Sequence, residues 1–135
     1  MLVRNDANKE IINKVKDCEI EILADTDRIE QVFVNLIENA IKYSKDDSPI
    51  TLDYEIRDEK LVVSVQNAYD VIPREKLKTL FDKFTRVDDK TTRTTRGTGL
   101  GLFIVKGLVE AMNGEIRLYS NEDCGFCVKV FMPIA

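Results

Sequence analysis

Apolar residues recur every three to four positions at Ile29, Val32, Phe33, Leu36, Ile37, Ala40 and Ile41. That spacing predicts an amphipathic helix with one buried face. Asp25-Thr26-Asp27 precedes it and offers side-chain oxygens to the free N–H groups of a first turn, with Glu30 three residues beyond Asp27. Alternation predicts strands at Glu19 to Leu23, Ile50 to Ile56 and Leu61 to Val65, the last two forming a hairpin across Arg57-Asp58-Glu59-Lys60. Asp46-Asp47-Ser48-Pro49 is a turn. Pro73 opens a short helix that ends near Phe81 and Phe84. Thr85 to Arg96 has Val87 as its only aliphatic residue and is expected to be a mobile loop. Gly97-Thr98-Gly99-Leu100-Gly101-Leu102 opens a strongly apolar helix that stops at Asn113-Gly114, a pair suited to a left-handed terminator. Strands at Glu115 to Tyr119 and Phe126 to Met132 follow. The order predicts a two-layer α/β sandwich, with helices covering one face of a mixed sheet.

Composition narrows the function. The 135 residues suffice for one domain with a core, 44% hydrophobic and 33% charged, as suits a folded globular chain. The weakly patterned residues 1–16 read as a linker remnant from an upstream domain, leaving 17–135 as the folded unit. A net charge of −4 makes nucleic acid a poor partner, and no apolar run is long enough to span or insert in a membrane. Three cysteines in a chain that needs no disulfide staple suggest a cytoplasmic setting. Cys124 and Cys127 have C-x-x-C spacing, but in a continuous strand they would point to opposite faces, so they are read as small thiols at a strand end. Histidine is absent from the 135 residues, which excludes Ser-His and Cys-His nucleophiles and histidine-bound metals here.

Two constellations could carry chemistry. Asn35 and Asn39 share a helix flank one turn apart, and Lys42 and Tyr43 continue it. An amide oxygen there is a neutral ligand for Mg²⁺, an ion that keeps several waters and takes phosphate oxygens. The same residues would equally serve as a solvated flank, with Lys42 pairing to Glu38. The glycines at 97, 99 and 101 let backbone approach a ligand, and the following helix would direct free N–H groups at it. This is neither a dinucleotide fingerprint nor a P-loop. Arg86, Lys90, Arg93 and Arg96 outnumber Asp88 and Asp89 just before it, which suits a cover over phosphates or simply a solvated loop.

Asn35 to Ser44, Phe81 to Asp88 and Gly97 to Leu102 resemble, in order and spacing, the N, F and G2 boxes of sensor histidine kinases. The resemblance runs from about residue 18 to the end. It implies a Bergerat-type ATP fold, a mixed and mostly antiparallel sheet with helices on one face and a mobile ATP lid. It also implies Asn39 as the Mg²⁺ ligand, Asn35 behind it or at phosphate, Lys42 at phosphate and Tyr43 near the nucleotide. Gly97, Gly99 and Gly101 would shape the phosphate site, with Arg86 reaching the triphosphate. Ile72, Phe84, Arg96, Thr98, Leu100 and Leu102 complete the implied ATP-binding set. The phosphate acceptor would be a histidine on a helical dimerisation and phosphotransfer domain, in cis or in trans, with a response regulator downstream. The full-length parent could be membrane-anchored.

One motif departs from the family. Where its G1 box reads Asp-x-Gly-x-Gly before Ile-Pro, this chain has Asn67-Ala68-Tyr69-Asp70-Val71 before Ile72-Pro73. Asn67 can still accept a hydrogen bond from an adenine amino group, without the aid of charge. That substitution leaves a nucleotide-sensing or docking module as an alternative. An ATPase like DNA gyrase is less favoured, because the water-activating glutamate of such enzymes falls at Asn35.

Overall fold

A computed structural model describes residues 10–15, 18–45, 48–82 and 101–135. Its elements run β1 (Ile11–Asn13), α1 (Thr26–Tyr43), β2 (Ile50–Arg57), β3 (Lys60–Asn67), α2 (Arg74–Thr79), α3 (Gly101–Ala111), β4 (Glu115–Asn121) and β5 (Gly125–Pro133). The five strands form one sheet in the order β1-β2-β3-β5-β4. β1 joins β2 in parallel and every other pairing is antiparallel. The mixed α/β sheet with helices agrees with the sandwich expected from the pattern.

The helix face of the sheet is set by register. Leu52, Val65 and Val128 lie side by side across β2, β3 and β5, as do Val130 and Ile116 across β5 and β4. Against them pack Val32, Leu36, Ile37, Ala40 and Ile41 from α1 and Val105, Val109 and Met112 at α3. α1 and α3 therefore lie next to one another on this face. Burying such side chains contributes about 1.5–3 kcal/mol each, which is why the apolar stripe rather than propensity holds α1 in place.

Local chemistry fixes the ends. Asp25 caps α1, its Oδ1 accepting the N–H groups of Asp27 at 3.0 Å and Arg28 at 3.1 Å. The β2–β3 hairpin turns on two residues, Asp58 and Glu59, with φ of 50° and 63°. Both central residues in the left-handed region give the turn whose twist matches the flanking strands. α3 ends where Asn113 takes φ 63° and the Gly114 N–H returns to Val109 O at 2.9 Å. The terminator read at Asn113-Gly114 is thus formed, with asparagine in the left-handed position.

Two sequence expectations need correction. Glu19 to Leu23 is not a strand: it contributes one isolated bridge, Ile22 to Ile134, with Leu23 N–H donating to Pro133 O and Ala135 N–H to Glu21 O. Conversely, Ile11–Asn13, inside the stretch read as linker, forms β1. The Cys124–Cys127 geometry also differs from the expectation. β5 begins only at Gly125, whose φ is 71°, so the two cysteines are not part of one continuous strand.

Candidate functional site

α1 carries Asn35 and Asn39 half-buried on its flank, beside the stripe that enters the core. Lys42 is exposed and Tyr43 half-buried, with the Lys42 ammonium 5.8 Å from the Tyr43 ring centroid. The four residues therefore follow one line along the helix, as their spacing predicts.

The helix ends against the segment that follows β3. The Ser44 N–H closes the last turn on Ala40 O at 2.9 Å, and the Lys45 N–H crosses to Ala68 O at 2.9 Å. The Lys45 ammonium also pairs with the Asp70 carboxylate. Asp70 is thus turned outward, 77% exposed at its side chain, and does not replace the acceptor that Asn67 provides.

Asn67 is the one buried polar side chain among the described residues, only 3% exposed. It shares the face of Val65, so it lies on the helix side of the sheet. Its Nδ2 donates to Ala68 O at 3.2 Å, which leaves Oδ1 as its acceptor. An acceptor fixed in this way fits the amino edge of a purine.

Two further contacts hold the segment from the sheet side. A side-chain carbon on Gly125 would run into Asn67 O and lie 2.9 Å from Tyr69 N, so β5 can approach only as glycine. The Ile72 N–H donates to Ser120 Oγ on β4 at 2.8 Å, and the Ile72 side chain is buried. Residues 67–72 are therefore clamped between α1, β4 and β5 without the glycines of the G1 box. Val71 projects outward at 51% exposure, so its bulk does not enter this packing. Lys45 and Ser120 were invisible to motif reading, because each acts across the fold and not along the chain. Gly125, next to a predicted strand, was the one available signal.

α3 completes this side of the molecule. The Lys106 ammonium lies 5.1 Å from the Phe81 ring centroid, joining the end of the α2 region to α3. Gly101 is the first residue of α3, and Leu102 is half-buried against the core. Phe84, Arg86, Arg96, Gly97, Thr98, Gly99 and Leu100 lie outside the described residues. No cluster of three His, Cys, Asp or Glu side chains able to hold a metal occurs among the described residues. Nor is any described helix long and apolar enough to cross a membrane.

The mixed sheet with α1 and α3 packed on one face is an α/β sandwich, and sequence comparison assigns it to a family. Residues 24–135 match the family described as histidine kinase-, DNA gyrase B- and HSP90-like ATPases, and the chain belongs to it. It is 36% identical over 126 residues to sensor histidine kinase WalK of Bacillus subtilis (strain 168), covering 92% of this chain and 21% of that protein. It is 39% identical over 99 residues to sensor protein VanSC of Enterococcus gallinarum, covering 73% of this chain and 27% of that protein. The chain thus spans between a fifth and a third of these curated relatives. Among solved structures, the catalytic domain of histidine kinase ThkA in a nucleotide-free form aligns with a TM-score of 0.73 at 30% identity, over 94% of this chain and 80% of that one. Full-length ShkA in complex with AMPPNP aligns with a TM-score of 0.78 at 26% identity, over 95% of this chain and 26% of that one.

Proposed function

We propose that this chain is the catalytic part of a two-component histidine kinase, with a catalytic unit that reaches back to β1 at Ile11 and the residues before it leading from an upstream domain. It binds Mg-ATP beside α1, over residues 67–72, and presents the γ-phosphoryl group to a histidine on a separate helical dimerisation and phosphotransfer domain. The link from Lys45 N–H to Ala68 O carries this reading, because it sets the flank holding Asn39 next to the segment holding Asn67. The AMPPNP held by ShkA and the names of the curated relatives support it.

In this reading Asn67 accepts from adenine, with Tyr43 and Ile72 close to the nucleotide. Asn39 offers its amide oxygen to Mg²⁺, with Asn35 behind it. Mg²⁺ takes few protein ligands and several waters, so one neutral amide suits it where a carboxylate would repel the triphosphate. When bound, the ion supplies charge neutralisation at the phosphates. Lys42, Arg86, Arg96 and the residues 97–102 add cationic and backbone donors, and Phe84 borders the site. A nitrogen of the acceptor histidine attacks the γ-phosphorus and the bond to the ADP oxygen breaks. Such a transfer needs positioning and electrostatic stabilisation more than covalent help from the protein. The acceptor lies elsewhere, since these 135 residues contain no histidine. A response regulator would then receive the phosphoryl group, on the cytoplasmic side of any membrane that the parent spans.

The test mixes this chain, Mg-ATP labelled at the γ position and a histidine-bearing helical dimer from a kinase of the same organism. Acid-labile label on the dimer is expected, and Asn39→Ala should abolish it. No saturable binding at millimolar Mg-ATP would overturn the reading in favour of a docking module. Steady hydrolysis by the chain alone would favour the ATPase branch of the family.

A further inference from the structure

The sheet face opposite the helices carries a feature that the nucleotide site does not use. Val62, Cys127 and Phe131 are buried there, and among the described residues the core packing of α1 and α3 lies on the other face. Long side chains lie over this face: the Arg117 guanidinium lies 4.9 Å from the Phe131 ring and the Lys129 ammonium 5.3 Å from the Tyr119 ring. Between them runs a groove of about 400 Å³, bordered by Ser64, Gln66, Tyr119, Cys124 and Cys127.

Both cysteines face this groove for a local reason. In an uninterrupted strand, positions 124 and 127 would point to opposite sides. Gly125, with φ 71°, intervenes at the start of β5 and turns Cys124 back toward the side of Cys127. Asn121 Oδ1 accepts the Cys124 N–H at 2.7 Å and fixes the turn. Both thiols are free, Cys124 half-exposed and Cys127 buried. Gly125 also backs directly onto Asn67, Ala68 and Tyr69, the atoms a Cβ there would meet.

We propose that Cys124 and Cys127 form a dithiol switch, which a small disulfide oxidant closes into an intrachain bond that loosens the segment Asn67–Asp70. The consequence for ATP rests on the reading of that segment as the adenine-facing one. The half-exposed Cys124 thiolate attacks one sulfur of the oxidant, whose S–S bond breaks and whose first half leaves as a thiol with the Cys124 proton. The Cys127 thiolate then attacks Cys124 Sγ, and the second half leaves as a thiol with the Cys127 proton. The two protein thiols lose two electrons and the oxidant becomes two thiols. Burial first, and the neighbouring Cys124 second, push Cys127 up to about 11 against the pull of Lys129, so Cys127 is the resolving partner and not the attacker. A bridge holds its two Cα atoms within about 7 Å and fixes the S–S dihedral, so closure constrains the backbone across Gly125 at the start of β5. Phe126 there pairs with Asn67, and Gly125 has no spare room against Asn67 O.

The experiment uses Cys18→Ser protein, which removes the third thiol, treated with excess oxidised glutathione. Mass spectrometry should find the loss of two hydrogens and no retained glutathione. Cys127→Ser in the same background should stop with one glutathione attached. Closure should quicken about tenfold per pH unit between pH 7 and 10, as the Cys127 thiolate fraction grows. Amide hydrogen exchange should then show lost protection at Asn67–Asp70, restored by reductant, and Mg-ATP affinity should fall severalfold. A glutathione adduct that persists with both cysteines present, or closure without change at Asn67–Asp70, would overturn the switch. Absence of nucleotide binding by the reduced protein would overturn only the adenine reading, since the exchange measurement does not depend on it.

Discussion

Ser120 on the edge strand β4 accepts the backbone N–H of Ile72 through its Oγ at 2.8 Å, joining residues 48 apart in the chain. This bond sets the far end of the segment that begins at Asn67. Ser120→Ala leaves a backbone donor without its acceptor, a change that costs about 1–3 kcal/mol. The unfolding midpoint in urea should fall accordingly, while Ser120→Thr should retain most of the stability. Mg-ATP affinity should weaken in the alanine variant, measured by calorimetry.

Asn67→Asp should restore a charged acceptor at the end of β3. One charge-assisted bond in place of a neutral one is worth on the order of 1 kcal/mol, a severalfold gain in ATP affinity. The gain should vanish with inosine triphosphate, which lacks the amino donor. An equal gain for both nucleotides would place position 67 away from the base.

Two glycines should respond to alanine in opposite directions. At Gly114 a Cβ would meet Met132 Sδ at 2.6 Å and Phe131 O at 2.7 Å, and the carbonyl belongs to a paired strand that cannot easily yield. Gly114→Ala should destabilise by about 1–3 kcal/mol. Gly107, exposed on α3, has nothing within 4 Å of such a carbon. Gly107→Ala should stabilise by about 0.5–1 kcal/mol. Thermal denaturation of the two variants decides both signs.

Asp25 holds two N–H groups of the first turn of α1. Asp25→Ala should cost about 0.5–2 kcal/mol, and Asp25→Asn much less, because the amide oxygen still caps. Since α1 also carries Asn35 and Asn39, fraying should stay confined to its first turn and leave the nucleotide end intact. Amide exchange along α1 checks this.

Much of the fold was legible because its signals are local and repeated. α1 announced itself through seven apolar positions in register and the capping run Asp25-Thr26-Asp27, of which the structure uses Asp25. The β2–β3 hairpin was read from two alternating runs around a polar turn; each strand proved one residue longer on the turn side, and β3 also runs on to Asn67. Glu19 to Leu23 alternates as well, yet it only bridges Ile134. Alternation shows that a segment can pair, and only the sheet shows whether a partner is within reach. β1 was missed for the converse reason: three residues, Ile11–Asn13, carry no period, and they pair because β2 offers them a parallel edge.

Thus the sequence alone determined the class of domain, the amide flank at Asn35 and Asn39 and the substitution at Asn67, because helical period and motif spacing are properties of neighbours along the chain. Tertiary structure decided what holds residues 67–72 without glycines, namely Lys45, Ser120 and Gly125. It also decided that Cys124 and Cys127 share a groove. These are contacts between distant parts of the chain or consequences of one backbone angle, and no local pattern encodes either.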